Sequence, residues 1–442
     1  MITKQKHFYF IAFMLMASAF LPIVFNNLPP LIRSHHIWTS IWVLSLLVFY
    51  PKVFINKMMV YVLIYSVFLF VALNFMWNSM DEWNYYMLIK EYYQIAIGIS
   101  VITYFLQSKD YIGLAKITKW SMVFLIITAI MTIVSSAIDP MYARNIVGVA
   151  SINIESKSEA ILSFTKFGGG NFGTAIAFMC LFPILIYYYK NTTISLLSKI
   201  QVVILLVIIF LALLGMQIFA NILIGFVFSV IAFGGMKKMK QSVLVFGLFL
   251  SIILFTPKEV YIDSLFSISN SFQKNSDLNY KFRDLAIFIK SGADVEDIRT
   301  GTGIRANRFS QLADNFTQSP IFGVFVNSDK YAHGYYQKYL NYGTVGQVAG
   351  THLHWMNKLT ITGIIGLFIF LLIPYNFIKS NVRRFDSTFN FYYLLASLSI
   401  LSYGIFKTMA GRETWYTFFI ILPGLYYLPL LKKQNYIFRN EK

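Results

Sequence analysis

The sequence predicts an all-α, polytopic integral membrane protein with about twelve transmembrane helices and one large, partly helical extracytoplasmic loop. Three observations carry this expectation. The 442 residues are 57% hydrophobic and 13% charged, where a soluble domain carries about 25% charged residues. The apolar residues gather in blocks of roughly 17–25, the length needed to cross a hydrocarbon core of about 30 Å. The third is charge placement: basic residues concentrate in alternate short turns, as the positive-inside rule requires. No run of alternating ten-residue segments, the mark of a membrane barrel, accompanies them.

The spans follow in order as about 8–25, 37–50, 58–76, 85–106, 120–138, 171–189, 200–214, 217–234, 242–256, 355–378, 388–406 and 414–431. The first is preceded by Lys4 and Lys6, and Ala17-Ser18-Ala19 imitates a signal-peptidase site. Because the apolar run continues to Phe25, a retained first span is expected rather than cleavage. The seventh and eighth form a tight helical hairpin around Gly215-Met216-Gln217. These spans divide the chain into residues 1–256 with spans one to nine, the loop 257–353, and residues 354–442 with spans ten to twelve and a basic tail.

Turns after even-numbered spans are basic and those after odd-numbered spans mostly are not, which puts both termini in the cytoplasm. Loops 139–170 and 257–353 are then extracytoplasmic. The net charge of +18 agrees: residues 257–353 hold ten Lys/Arg and nine Asp/Glu, leaving 27 and ten elsewhere. Such turn-borne charge is no nucleic-acid footprint. The single cysteine, Cys180, sits in an apolar span; it excludes an internal disulfide and a cysteine metal site and reads as a small buried hydrophobe.

Within the large loop, Phe282, Leu285, Ala286 and Ile289 follow i, i+3, i+4, i+7, and so do Phe309, Leu312, Ala313 and Phe316. Both patterns predict amphipathic helices suited to the membrane surface or to packing on the bundle. Arg283 lies on the first, and Arg305 and Arg308 share a helix edge near the second. Arginines of this kind bind anions bidentately, although a solvated helix edge also accounts for them. Tyr331, Tyr335, Tyr336, Tyr339 and Tyr342 crowd the segment before the next span.

That span is expected to begin with Thr351 as N-cap, placing His352 and His354 in the first turn. A helix N-terminus suits a phosphate and keeps a histidine neutral, able to act as a base. Lys90-Glu91 sits either two turns inside the fourth span, facing a cavity or partner, or at the interface if that span starts near Tyr92. Arg144 is ambiguous, and Arg412 beside Glu413 reads as a surface ion pair. Asp294-Val295-Glu296-Asp297 reads as an acidic solvated turn, and Gly168-Gly169-Gly170 as a flexible loop leading into a helix.

One further spacing stands out. Arg305 lies fifteen residues before Pro320-Ile321-Phe322-Gly323, and His352 lies eleven before Gly363-Ile364-Ile365-Gly366. With a dozen spans and a large loop in the C-terminal third, this resembles the O-antigen polymerase (Wzy-type) and O-antigen ligase superfamily. The architecture covers nearly the whole chain and the motifs about 305–366. Two departures are visible: Val324-Phe325-Val326-Asn327 replaces the usual glycine-rich continuation, and Arg144 stands far from Asn171. The second favours polymerase over ligase.

The resemblance implies a metal-independent glycosyltransferase, without cofactor, in a bacterial inner membrane. Undecaprenyl-pyrophosphate-linked oligosaccharide would be donor and a second lipid-linked unit acceptor, for O-antigen or capsule. Membrane lipid, a chain-length regulator and other polysaccharide-assembly proteins are the partners it implies, and nucleic acid is not. On this resemblance Arg305 binds pyrophosphate, His352 is the base, and Arg308, Arg144, Arg283, His354, Tyr335, Tyr336, Lys90 and Arg412 contact pyrophosphate or sugar. A ligase acting on lipid A core, a flippase or transporter, and a non-catalytic scaffold are the competing readings.

Overall fold

An apolar segment out of reach of water must satisfy its own backbone, and a helix does so within one stretch of chain. Accordingly, every regular element among the described residues is helical. The computed structural model describes residues 2–75, 82–138, 168–192, 194–216, 218–235, 256–271, 277–291, 312–313, 316–317, 319–323, 353–407, 409 and 411–432.

The principal helices are α1 (Ile2–Phe20), α2 (His35–Phe49), α3 (Lys57–Phe75), α4 (Glu82–Gln107), α5 (Tyr111–Ile138), α6 (Phe172–Lys190), α7 (Lys199–Gly215), α8 (Phe219–Gly234), α9 (Lys258–Ser271), α10 (Asp277–Ser291), α11 (His354–Val382) and α12 (Ser387–Phe406). A final helix, α13, runs through Arg412–Tyr416, a π-helical turn Thr417–Ile421, and Leu422–Leu425. Four of these, α5, α6, α11 and α12, are long and apolar enough to cross a membrane, and α2, α3, α7 and α8 are shorter apolar helices. The ninth expected span, 242–256, lies outside the described residues except for Thr256.

Helix α6 is the buried axis of the bundle. It packs against α7, α8, α12 and the first turn of α13, and its side chains from Gly173 to Leu181 are all buried. Around it, α1 packs on α2 and α5, α3 on α11, and α4 on α13. Small residues permit the closest approaches: a Cβ on Gly424 would lie 2.0 Å from the Thr118 hydroxyl oxygen. The outward faces of α3, α7 and α8 carry exposed Leu63, Val67, Phe70, Val207, Phe210 and Phe226, an apolar surface of the kind that faces lipid.

The loop helix expected from the Phe282 pattern is α10. It pairs with α9, which the sequence reading had not anticipated, and Ser269 and Asn279 exchange side-chain-to-carbonyl hydrogen bonds of 2.8 Å between them. Leu312–Ala313 and Phe316–Thr317 are helical where the second pattern falls, and Leu312 is buried.

The expected tenth span is not continuous. At Gly363 the backbone leaves the helix (φ 65, ψ −173). His354 and Phe370 nevertheless have ring centroids 6.2 Å apart, whereas a straight helix would separate them by about 24 Å along its axis. Residues 354–362 therefore fold back alongside 364–382 as a separate arm.

The break frees backbone donors, and the loop supplies their acceptors. The N–H of Ile364 donates to the Pro320 carbonyl at 2.9 Å, and that of Ile365 to the Ile321 carbonyl at 3.2 Å. The Pro320-Ile321-Phe322-Gly323 turn thus seats directly on Gly363-Ile364-Ile365-Gly366. The fit is backbone against backbone: a Cβ on Gly323 would lie 2.1 Å from the Ile361 carbonyl oxygen, and one on Gly363 would lie 2.3 Å from that of Ile321. Both glycines also hold positive φ, 86 and 65, a conformation other residues adopt at a cost of order 1 kcal/mol or more.

Gly323→Ala and Gly363→Ala should each destabilise the protein by at least ~2 kcal/mol, since strain and steric conflict add. A thermal melt in detergent followed by size exclusion reads this as a lower midpoint, and an unchanged midpoint would contradict the backbone seat.

Candidate functional site

Two polar clusters lie inside the bundle, at the end where α1 stops and α2, α6 and α13 start. The first forms around the folded-back arm. His354 opens the arm and Lys358 stands four residues later, so both face one neighbour. That neighbour is Glu91 of α4. Lys358 forms an ion pair with Glu91 Oε2, donates to the Tyr65 hydroxyl at 3.5 Å, and sits 4.6 Å from the Phe370 ring centroid. His354 Nε2 lies 3.4 Å from Glu91 Oε1. His354 and Lys358 are each only 4% exposed. Charges so enclosed persist only when paired.

Aromatic rings wall this cluster. Trp355, Phe370 and Trp415 stand with ring centroids 4.9, 6.2 and 6.4 Å from that of His354. Trp355 also ties the arm to α12, donating its indole N–H to the Leu401 carbonyl at 2.7 Å. Thr360 donates to the Leu312 carbonyl at 2.9 Å and fastens the arm to the loop.

The second cluster begins with a proline. Pro22 has no N–H, so the Ser18 carbonyl loses its helical donor. Arg412 Nη2 replaces it, donating at 2.7 Å. The Ser18 hydroxyl donates to the Leu15 carbonyl and lies 2.7 Å from His35 Nδ1. On its other side, His35 Nε2 is hydrogen-bonded with the Tyr416 hydroxyl at 3.0 Å. Glu413, beside Arg412, accepts from the Asn171 amide at 3.1 Å, while Asn171 caps α6 by accepting from the Thr174 N–H. Trp415 lies between the clusters, one residue before Tyr416.

Several sequence expectations are corrected here. The residue at the cap position of α11 is Leu353, in a left-handed conformation and with no side-chain cap; Thr351 does not fill it. Arg412 and Glu413 are not a surface pair, because Glu413 is buried beneath the α6 cap. The glycine run before Asn171 is packed: all three are buried, Gly170 N–H donates to Thr132 at 2.7 Å, and Gly168 abuts Ile23. Of the two settings considered for Glu91, the interior one with a partner is observed.

The remaining candidates divide sharply. Arg144, Arg305, Arg308, Tyr335, Tyr336 and His352 lie outside the described residues, as does the side chain of Lys90. Arg283 is exposed on α10. The structure therefore brings His354 into the first cluster and Arg412 into the second. Sequence reasoning missed Lys358, although a histidine and a lysine four apart at the start of an apolar span were a readable signal; that Glu91 is their partner is visible only in the fold. It also missed Ser18, His35 and Tyr416, for which no local spacing exists. No group of three or more metal-ligating side chains occurs among the described residues.

No protein-family model matches this chain, and no curated protein matches it either.

Replacing Lys358 by Met should leave Glu91 buried and uncompensated, at a cost of ~3–5 kcal/mol. The neutral double variant Glu91→Gln/Lys358→Met should recover most of that loss. Folded yield by size exclusion measures both, and equal losses in the two variants would contradict a buried ion pair.

Proposed function

We propose that this chain is a glycosyltransferase at the periplasmic face of the inner membrane that polymerises lipid-linked oligosaccharide units into a bacterial surface polysaccharide. One observation carries the reading above the others. The Pro-x-x-Gly and Gly-x-x-Gly segments, which carry the resemblance and stand forty residues apart, are seated on each other through their backbones. A pairing of this kind explains why both segments need glycine, and it supports treating residues 305–366 as one functional unit. Twelve spans, cytoplasmic termini and a periplasmic loop 257–353 belong to the same proposal.

The chemistry follows from the substrate. An acceptor sugar hydroxyl attacks the anomeric carbon of a glycan on undecaprenyl pyrophosphate. The anomeric C–O bond to phosphate breaks, and its electron pair leaves with the pyrophosphate. The hydroxyl proton passes to a base, for which His352 is proposed. Arg305, helped by Arg308, Arg144 and Arg283, balances the leaving charge. Tyr335 and Tyr336 offer flat faces to sugar rings. His354, Lys90 and Arg412 are assigned to contact with pyrophosphate or sugar, and the Arg412 side chain is one-third exposed in its cluster.

A second reading has one observation in its favour. A broken helix beside a buried Glu91–Lys358 pair is an arrangement found where transporters hold their cargo. A flippase would move lipid-linked units without joining them.

Deletion in the source cell separates the two. Loss of a polymerase should leave surface lipid bearing one repeat unit, and loss of a flippase should leave units facing the cytoplasm. Arg305→Ala and His352→Ala should each abolish chain extension at normal membrane levels. Normal-length glycan from either variant would sink its assigned role.

A further inference from the structure

The Glu91 carboxylate has two oxygens with different duties. Oε2 holds Lys358. Oε1 faces His354 Nε2 at 3.4 Å, and neither of those two atoms has a hydrogen-bond partner among the described residues. A buried polar atom left in this state is costly, and a shift of a few tenths of an ångström closes the pair. The ring has little freedom to turn elsewhere, because Trp355, Phe370 and Trp415 enclose it. The arm that carries it is fixed at Trp355, Lys358 and Thr360.

We infer that Glu91 is a positioning residue: its Oε1 fixes the orientation of the His354 imidazole and keeps the proton on Nε2. Nδ1 is then the nitrogen left to accept a hydrogen bond. This is the logic by which a buried carboxylate holds an imidazole in one tautomer for catalysis. Lys358 neutralises the second carboxylate oxygen, so the pair can exist in an apolar interior. The inference rests on the transfer reading above and adds to it a residue on α4, far in sequence from the loop.

The test is a double-mutant cycle in proteoliposomes. The substrate is lipid-linked repeat unit extracted from source cells lacking this chain, and the readout is the glycan ladder on a gel. Glu91→Gln should lower kcat on the order of 10-fold or more while KM moves little. In a His354→Ala background the same change should do almost nothing, since the two residues act as one unit. Glu91→Asp, which keeps the charge but withdraws it by one methylene, should fall between. If Glu91→Gln fails to accumulate because Lys358 is left unpaired, Glu91→Gln/Lys358→Met takes its place in both arms. Additive losses, or wild-type kcat in the neutral double variant, would overturn the inference and leave Glu91 as a purely structural partner. An inactive wild-type protein would instead overturn the transfer reading, and the inference with it.

Discussion

The break at Gly363 is the constraint on which the rest of this end of the molecule depends. An interrupted helix in an apolar setting exposes backbone N–H groups that water cannot reach, and each one left unpaired costs several kcal/mol. The loop resolves this by presenting the Pro320 and Ile321 carbonyls. Once that seat is made, the arm 354–362 must run back along its own helix. His354 and Lys358 are then delivered into the bundle instead of to its surface. The buried ion pair with Glu91 and the aromatic wall are consequences of that one turn of chain.

A similar economy governs the second cluster. Pro22 bends the chain after α1 and leaves a carbonyl without a donor, and Arg412 from the far end of the sequence supplies one. The same arginine stands beside Glu413, which in turn holds the residue capping α6. A helix kink, an N-cap and a partly exposed cation are therefore one connected arrangement. Substituting lysine at 412 would keep the charge but lose the planar fork that serves carbonyl and carboxylate together.

How much of this was legible in the sequence varies with range. Some helix positions were, because an apolar block has one stable backbone solution: α6, α7, α8 and α12 fall within a residue or two of expectation, whereas α1 starts and ends five or six residues early and α5 begins nine residues before the expected span. The amphipathic α10 was legible through its 3.6-residue period. Helix α9 was not, since its apolar residues are interspersed with serine and charge. The discontinuity at Gly363 was invisible to hydropathy, which averages over it. The spacing behind the resemblance includes Gly363 but says nothing of a break there. The clusters failed differently: Ser18, His35 and Tyr416 meet from three helices, and no local pattern encodes a meeting between residues hundreds of positions apart. The Arg412–Glu413 pair misled because adjacency suggested a surface turn, while tertiary packing placed the carboxylate inside.

The folded-back arm also has a bearing on biogenesis. A nine-residue helix bearing histidine and lysine is too short and too polar to enter a bilayer as a span of its own. The apolar stretch after Gly363 is what an insertion machinery would recognise. The arm therefore holds its place not by its own hydropathy but through its pairing with Glu91 and its tie to the loop.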